Sequence, residues 1–145
     1  MARLPRSVLP DGIYHVGTRG VDQCTVYVDD RDRRTFLRLL ASVVADYEWH
    51  MHTMCLMTNH YHLVVETERL FLSLGMQRLN GRYAETFNRK FERTGHLWGD
   101  RFWVRLVRDE EHLADVCTYV VNNPVRAGLC ARAADWPWSA SRYGF

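Results

Sequence analysis

A chain of 145 residues can bury one core and is too short for two ordinary domains, so a single domain over residues 1–145 is expected. A hydrophobic fraction of 47% beside 25% charged residues is that of a soluble globular protein, and no apolar run approaches a membrane span. The net charge of +2 points to no partner by itself, and four cysteines without a CxxC pair argue against a ribbon-type zinc site and for free thiols in a reducing compartment.

The first residues, Met1 to Ser7, lack the apolar stretch of a secretory signal, which makes a cytoplasmic location the expectation. Asp11-Gly12 reads as a turn before a strand from Ile13 to Thr18, closed by Arg19-Gly20. A short extended piece, Thr25 to Val28, runs into Asp29-Asp30, either of which can cap the helix that follows. That helix reads to Tyr47, because Phe36, Leu37, Leu40, Val43 and Val44 recur at three- and four-residue spacing and give one apolar face to lay on a sheet.

Trp49 to Met57 and His60 to Glu66 are β-rich and separated by Thr58-Asn59, where Asn accepts the positive φ of a two-residue hairpin turn. In that register Met57 faces His60, Cys55 faces His62 and Thr53 faces Val64, while His50 and His52 fall on the opposite face. Leu70 to Phe91 is the longest helical pattern, Gly95 ends it, and Phe102 to Val107 is strand-like. Asp109 starts a last helix that must finish near Asn123, since Pro124 cannot continue it. The remainder, with Trp136 and Trp138, is a tail that folds back on the body. Strand, helix, hairpin, helix, strand, helix is the order of an α+β ferredoxin-like sandwich, an antiparallel sheet with helices packed on it.

His60 and His62 are two apart on a strand, so both imidazoles point to one side and can share a metal ion. Histidines on half-buried strands more often only hydrogen-bond, and the pair becomes informative through its place beside a turn, where a substrate can reach it. Tyr119 and Asn123 are four apart on a helix and so share a face. Alone, the tyrosine reads as core and the asparagine as a helix-end cap. With an ion nearby the four residues describe metal-assisted phosphoryl transfer by a tyrosine nucleophile, Asn123 supplying an oxygen to complete the shell. Between Arg78 and Arg108 eight basic residues face three acidic ones and interleave with Tyr83, Phe87, Phe91, Trp98, Phe102 and Trp103. Such a stretch suits a phosphate backbone with unpaired bases, or else is a solvated helix face with core aromatics behind it.

The runs Ile13-Tyr14-His15-Val16 with Arg19-Gly20, Cys55 to Val65 around His60-Tyr61-His62, Gly95-His96-Leu97-Trp98 with Arg101-Phe102, Tyr119 to Leu129, and Trp138-Ser139 resemble REP-associated tyrosine transposases, single-tyrosine HUH transposases of bacterial insertion sequences. The resemblance spans nearly the whole chain in order. It implies the ferredoxin-like fold, His60 and His62 as ligands of Mg²⁺ or Mn²⁺ with Asn123 in the place of the third, and Tyr119 as the nucleophile. The implied reaction is cleavage and rejoining of single-stranded DNA beside a REP-like hairpin through a covalent 5′-phosphotyrosine. Arg19, Arg78, Arg82, Arg101, Arg105 and Arg126 are the candidate DNA contacts, and the sequence leaves monomer and homodimer open. Three departures stand out: Tyr61 replaces an aliphatic residue and should point into the core, Gly99-Asp100 replaces Gln-Gly, and the tail after Trp138 is short, so part of the DNA-specific region is expected to be missing. Two alternatives remain at this point. One is a metal-dependent phosphohydrolase, since His60 to Val64 also resembles a histidine-triad motif and Cys55 beside His62 leaves zinc open. The other is a domesticated hairpin-binding protein that does not cut.

Overall fold

The computed structural model describes residues 9–142, so the expectation for Met1 to Ser7 lies outside the described residues. Its centre is an antiparallel sheet of five strands: β1 (Gly12–Arg19), β2 (His50–Leu56), β3 (His60–Thr67), β4 (Trp103–Leu106) and β5 (Ser139–Ser141), in the order β4-β1-β3-β2-β5. The first four strands in that order are the ferredoxin-like arrangement. Helix α1 (Asp30–Asp46) and helix α2 (Arg69–Lys90) cover one face; α3 (Glu110–Val121) and the single turn α4 (Asn123–Arg126) belong to the other.

Alternation along the strands divides the core. Tyr14, Val16, Tyr61, Leu63, Val65 and Leu56 point toward Phe36, Leu40 and Val43 of α1 and Leu72, Met76, Leu79 and Tyr83 of α2, forming the main apolar cluster. Residues one step out of phase, Cys55 and Val64, meet Leu113, Cys117 and Val120 of α3 in a smaller one. α3 covers only part of this second face, and beyond its cluster lie the histidines, His15 and His62 buried and His60 half-buried.

Local chemistry explains the helix starts. Asp29 caps α1, accepting from the Asp32 amide at 3.0 Å while the Asp32 carboxylate accepts from the Asp29 amide, and Lys90 at the end of α2 bridges Asp29 (3.0 Å) and Asp32 (2.8 Å). Asp109 caps α3 through the His112 amide.

The structure corrects several expectations. Thr25 to Val28 bends and joins no strand; the amides of Val26 and Tyr27 donate to the Thr58 carbonyl. The hairpin register is as read from Thr53 to Met57, but no residue of the Thr58-Asn59 turn has a positive φ. Its carbonyls accept from other segments, Thr58 from Val26 and Tyr27 and Asn59 from Gly20. His52 is the extra residue of a bulge between Met51 and Thr53, which returns its ring to the side of Glu66, 3.2 Å from that carboxylate. His50 pairs with Glu66 as well, so the two HxH pairs do not look opposite ways. The tail adds a strand, β5, against β2.

One corner of the sheet is tied by loops from distant parts of the chain. The Gly20 amide donates to the Asn59 carbonyl, Val21 to Leu97, Gly99 to Arg19, and the Asn59 side chain to the Gln23 carbonyl.

Arg33 of α1 fastens the tail. Only 9% exposed, it donates from Nη2 to the Met57 carbonyl at 2.9 Å, and its guanidinium lies 5.3 Å from the Tyr27 ring, 5.7 Å from Trp136 and 5.6 Å from Trp138. Arg33→Ala is expected to cost about 3 kcal/mol, adding a charged hydrogen bond to desolvated cation–π contacts. Urea melts followed by tryptophan fluorescence check this, and a loss under about 0.5 kcal/mol, the range of an ordinary surface substitution, would contradict it.

Candidate active site on the open face of the sheet

His60 and His62 occupy alternate positions of β3 and present their rings to the same face, with centroids 5.1 Å apart and planes at 78°. Both have Nδ1 engaged. The His60 Nδ1 is 2.6 Å from the Asn59 Oδ1, and the His62 Nδ1 is 3.0 Å from Nε2 of His15. In each ring the nitrogen left over is Nε2, an arrangement in which a partner on one nitrogen orients the other toward a ligand.

Tyr119 stands over this group from α3. It is 48% exposed, and its ring centroid is 6.3 Å from those of His62 and His15. The tyrosine is therefore not core: α3 buries Leu113, Cys117 and Val120 and turns Tyr119 outward. Arg126 covers its ring, the guanidinium 4.0 Å from the centroid and Nη2 donating to the Tyr119 carbonyl at 2.6 Å.

Asn123 lies one helical turn beyond Tyr119, at the start of α4, because the Asn122 backbone stays helical and Pro124 sits in the first turn of α4, where a proline is tolerated. Its Nδ2 is buried and has no hydrogen-bond partner. Nδ2 is a donor and cannot bind a cation, so the atom that Asn123 can offer to an ion is Oδ1. Among the described residues no three His, Cys, Asp or Glu side chains are grouped to hold an ion. Cys55 does face His62, but it is fully buried, donates toward Met57 Sδ at 3.7 Å, and burial pushes its thiol up to about 12. It offers no thiolate for zinc.

Burial holds the imidazoles neutral. Desolvation, with Arg105 and His112 nearby, pushes His15 down to about 4. Desolvation and Arg19 push His60 down to about 4, and desolvation with His15, His60, Arg19 and Arg126 pushes His62 to about 2. Neutral rings are the metal-binding form. An unfolded chain takes up protons on these residues below about pH 6.5 while the folded one does not, so metal-free stability is complete above that pH and declines as pH falls toward 4. The buried pair His15 and His62 should each contribute up to about 1.4 kcal/mol per pH unit in that window. Urea melts at stepped pH test this, and a flat profile below about pH 6.5 would refute it.

Of the six arginines singled out in the sequence, three come to this face. Arg19 ends β1 opposite His60, Arg105 pairs with His15 across β1 and β4 and stacks on Trp103 at 5.6 Å, and Arg126 covers Tyr119. Arg101 is exposed in the loop before β4. Arg78 and Arg82 are on α2, across the sheet, where Arg78 holds Asp46 at 2.5 Å and Ser42 at 2.9 Å. Tyr61 points away from the site as expected, and a ring of bonds satisfies it: its hydroxyl donates to Asn80 Oδ1 (2.5 Å), Asn80 Nδ2 donates to Thr18 (3.0 Å), and Thr18 closes on Tyr61 (2.9 Å). Asp100 is exposed beside Gly99, whose amide bonds Arg19. Sequence reasoning took His15 only as part of a family run and Trp103 only as one aromatic of the basic stretch, and gave Gly17 no role, because their place here depends on how β1 pairs with β3 and β4.

Comparison with known proteins gives the class first. The family model described as "Transposase IS200 like" matches residues 11–123, from β1 to Asn123. The chain belongs to the IS200-like transposase family. More particularly, it is 24% identical over 152 residues to a Haemophilus influenzae protein named as a REP-associated tyrosine transposase, covering 97% of this chain and 85% of that one. Among solved structures, a REP-associated tyrosine transposase bound to a REP hairpin superposes with a TM-score of 0.78 at 17% identity, over 96% of this chain and 82% of the other. A protein from Deinococcus radiodurans described as a transposase gives 0.55 at 18% identity, over 83% and 97%. The structural likenesses bear on the fold. Among the described residues no helix is long and apolar enough to cross a membrane.

Proposed function

We propose that this transposase cleaves and rejoins single-stranded DNA beside a hairpin, with Tyr119 as the nucleophile. The observation that carries this reading is the exposed Tyr119 ring set 6.3 Å from His62, whose ring is 5.1 Å from that of His60 on the same face. The Tyr119 oxygen attacks a phosphorus of the DNA backbone and gives up its proton to solvent. The bond from phosphorus to the 3′-oxygen breaks, that oxygen leaves and takes up a proton, and the 5′ side stays on the tyrosine. Rejoining reverses the step with no nucleotide energy source.

His60, His62 and Asn123 would hold a divalent ion, Mg²⁺ or Mn²⁺, which when bound supplies Lewis-acid polarisation of the scissile phosphate. Arg126 keeps the Tyr119 ring in place and has further N–H groups for a phosphate, while Arg19 and Arg105 flank the histidines as backbone contacts. Arg101 extends the basic surface beyond them, and Arg78 and Arg82 would have to meet a part of the DNA that wraps to the other layer. The hairpin in the related solved complex supports a REP-like palindrome as the partner. A cytoplasmic site of action fits a DNA substrate.

Incubating the protein with hairpin oligonucleotides carrying single-stranded flanks and Mn²⁺, then running a denaturing gel, tests the proposal. A covalent protein–DNA band that disappears with chelator is expected. Free cleaved product without the band would indicate a hydrolase, and binding without cleavage a protein that only recognises hairpins.

A further inference from the structure

His15 stands outside the histidine pair that strand spacing exposes, yet it is the side chain on which the pair leans. It is 4% exposed, its Nε2 is 3.0 Å from Nδ1 of His62, and the two rings stack at 5.2 Å with planes 28° apart. Trp103 meets both rings edge-on, at 4.6 Å from His15 and 5.4 Å from His62. That wall exists because Gly17, opposite both His62 and Trp103 in the sheet, has no side chain; a Cβ there would collide with the indole. The stacked pair is thus boxed in, with little freedom to rotate away.

A hydrogen bond between two neutral imidazoles takes one N–H and one lone pair, so this contact has two arrangements. When His62 donates from Nδ1, its Nε2 keeps a lone pair and can bind a cation. When His15 donates from Nε2, the His62 proton must sit on Nε2 and the ring cannot ligate. We infer that His15 is a positioning residue: its Nε2 accepts the Nδ1 proton of His62 and holds that ring in the ligating tautomer. The inference rests on His62 being a metal ligand, as proposed above.

His60 shows the same device with a simpler acceptor. Its Nδ1 is 2.6 Å from Asn59 Oδ1, and the Asn59 amide is oriented by Nδ2 donating to the Gln23 carbonyl at 3.3 Å. An amide oxygen only accepts, so the His60 proton lies on Nδ1 and its Nε2 is free. Two neighbouring rings are then matched in tautomer by two different acceptors from β1 and the hairpin turn.

The test uses the full chain. Long-range ¹⁵N–¹H correlation on the metal-free protein near neutral pH should show His62 protonated on Nδ1; a proton on Nε2 overturns the inference. In Mn²⁺ titration calorimetry, His15→Phe, which keeps a ring but offers no acceptor, should weaken binding by roughly 10–100-fold, and His15→Gln, with an amide oxygen near the former Nε2, should stay within about threefold of the parent. His15→Phe that binds Mn²⁺ like the parent overturns it, and so does a folded His15→Gln as weak as His15→Phe. A His15→Phe protein that does not fold leaves the tautomer spectrum and the glutamine variant to decide. If the parent takes up no Mn²⁺, the ligand reading of His60 and His62 fails, and the spectrum alone decides where the proton sits.

Discussion

Tyr119→Phe is expected to abolish the covalent DNA adduct, lowering strand cleavage by on the order of 10³-fold or more, the usual effect of deleting a nucleophile. The change removes one oxygen from a half-exposed ring, and the contact with Arg126 is to the ring face and the backbone carbonyl, neither of which depends on that oxygen. Stability should therefore move by less than about 0.5 kcal/mol, and hairpin affinity should stay near that of the parent. This separates chemistry from folding and from recognition. A denaturing gel beside a thermal melt and a gel-shift titration reads all three, and surviving cleavage in the variant would remove Tyr119 from the reaction.

His62→Ala should have the second largest effect, through the ion instead of the nucleophile. Losing one of the three ligands proposed above should weaken Mn²⁺ binding at least about 100-fold, and it also strips His15 of its partner. Cleavage should fall with metal occupancy and return in part at high Mn²⁺. The same variant should flatten the acid limb of the stability profile, because the ring pushed furthest down, to about 2, is the one removed. Calorimetry and urea melts at two pH values check both halves. Unchanged Mn²⁺ affinity would show that the ion, if any, sits elsewhere.

Much of this fold was legible because its elements are long enough to show a period. The three- and four-residue spacing of Phe36, Leu40 and Val43 marks α1, the alternation in β3 marks the strand, and Asp29 and Asp109 mark the helix starts they in fact cap. What stayed hidden is non-local. β5 is three residues long and gains its identity only by pairing with β2, and Thr25 to Val28 has strand composition but spends the Val26 and Tyr27 amides on the Thr58 carbonyl and the Val28 amide on Asp32. The bulge at His52 breaks the alternation without leaving a glycine or proline to announce it.

The candidate site divides in the same way. His60 and His62 lie on one strand, and Tyr119 and Asn123 are one helical turn apart, so local spacing is enough to pair them. Nothing in the sequence says that β1 lies beside β3 in the register that sets Gly17 against His62 and brings His15 into contact with it. The arginines show the limit of counting charge. Arg78 and Arg105 belong to one basic stretch, yet the sheet lies between them.

The knot of loops at the corner beside His60 has a consequence for how this protein can vary. Segments around Asn59 and Gly99 are both tied to the one around Gly20, through the Gly20 amide on the Asn59 carbonyl, Asn59 Nδ2 on the Gln23 carbonyl and the Gly99 amide on the Arg19 carbonyl, and main-chain groups in such a knot cannot go unpaired without loss. Lengthening any one of them would strip its neighbours of partners and tilt the ledge on which His60 rests. Insertions and deletions are therefore expected at surfaces that hold no other loop in place.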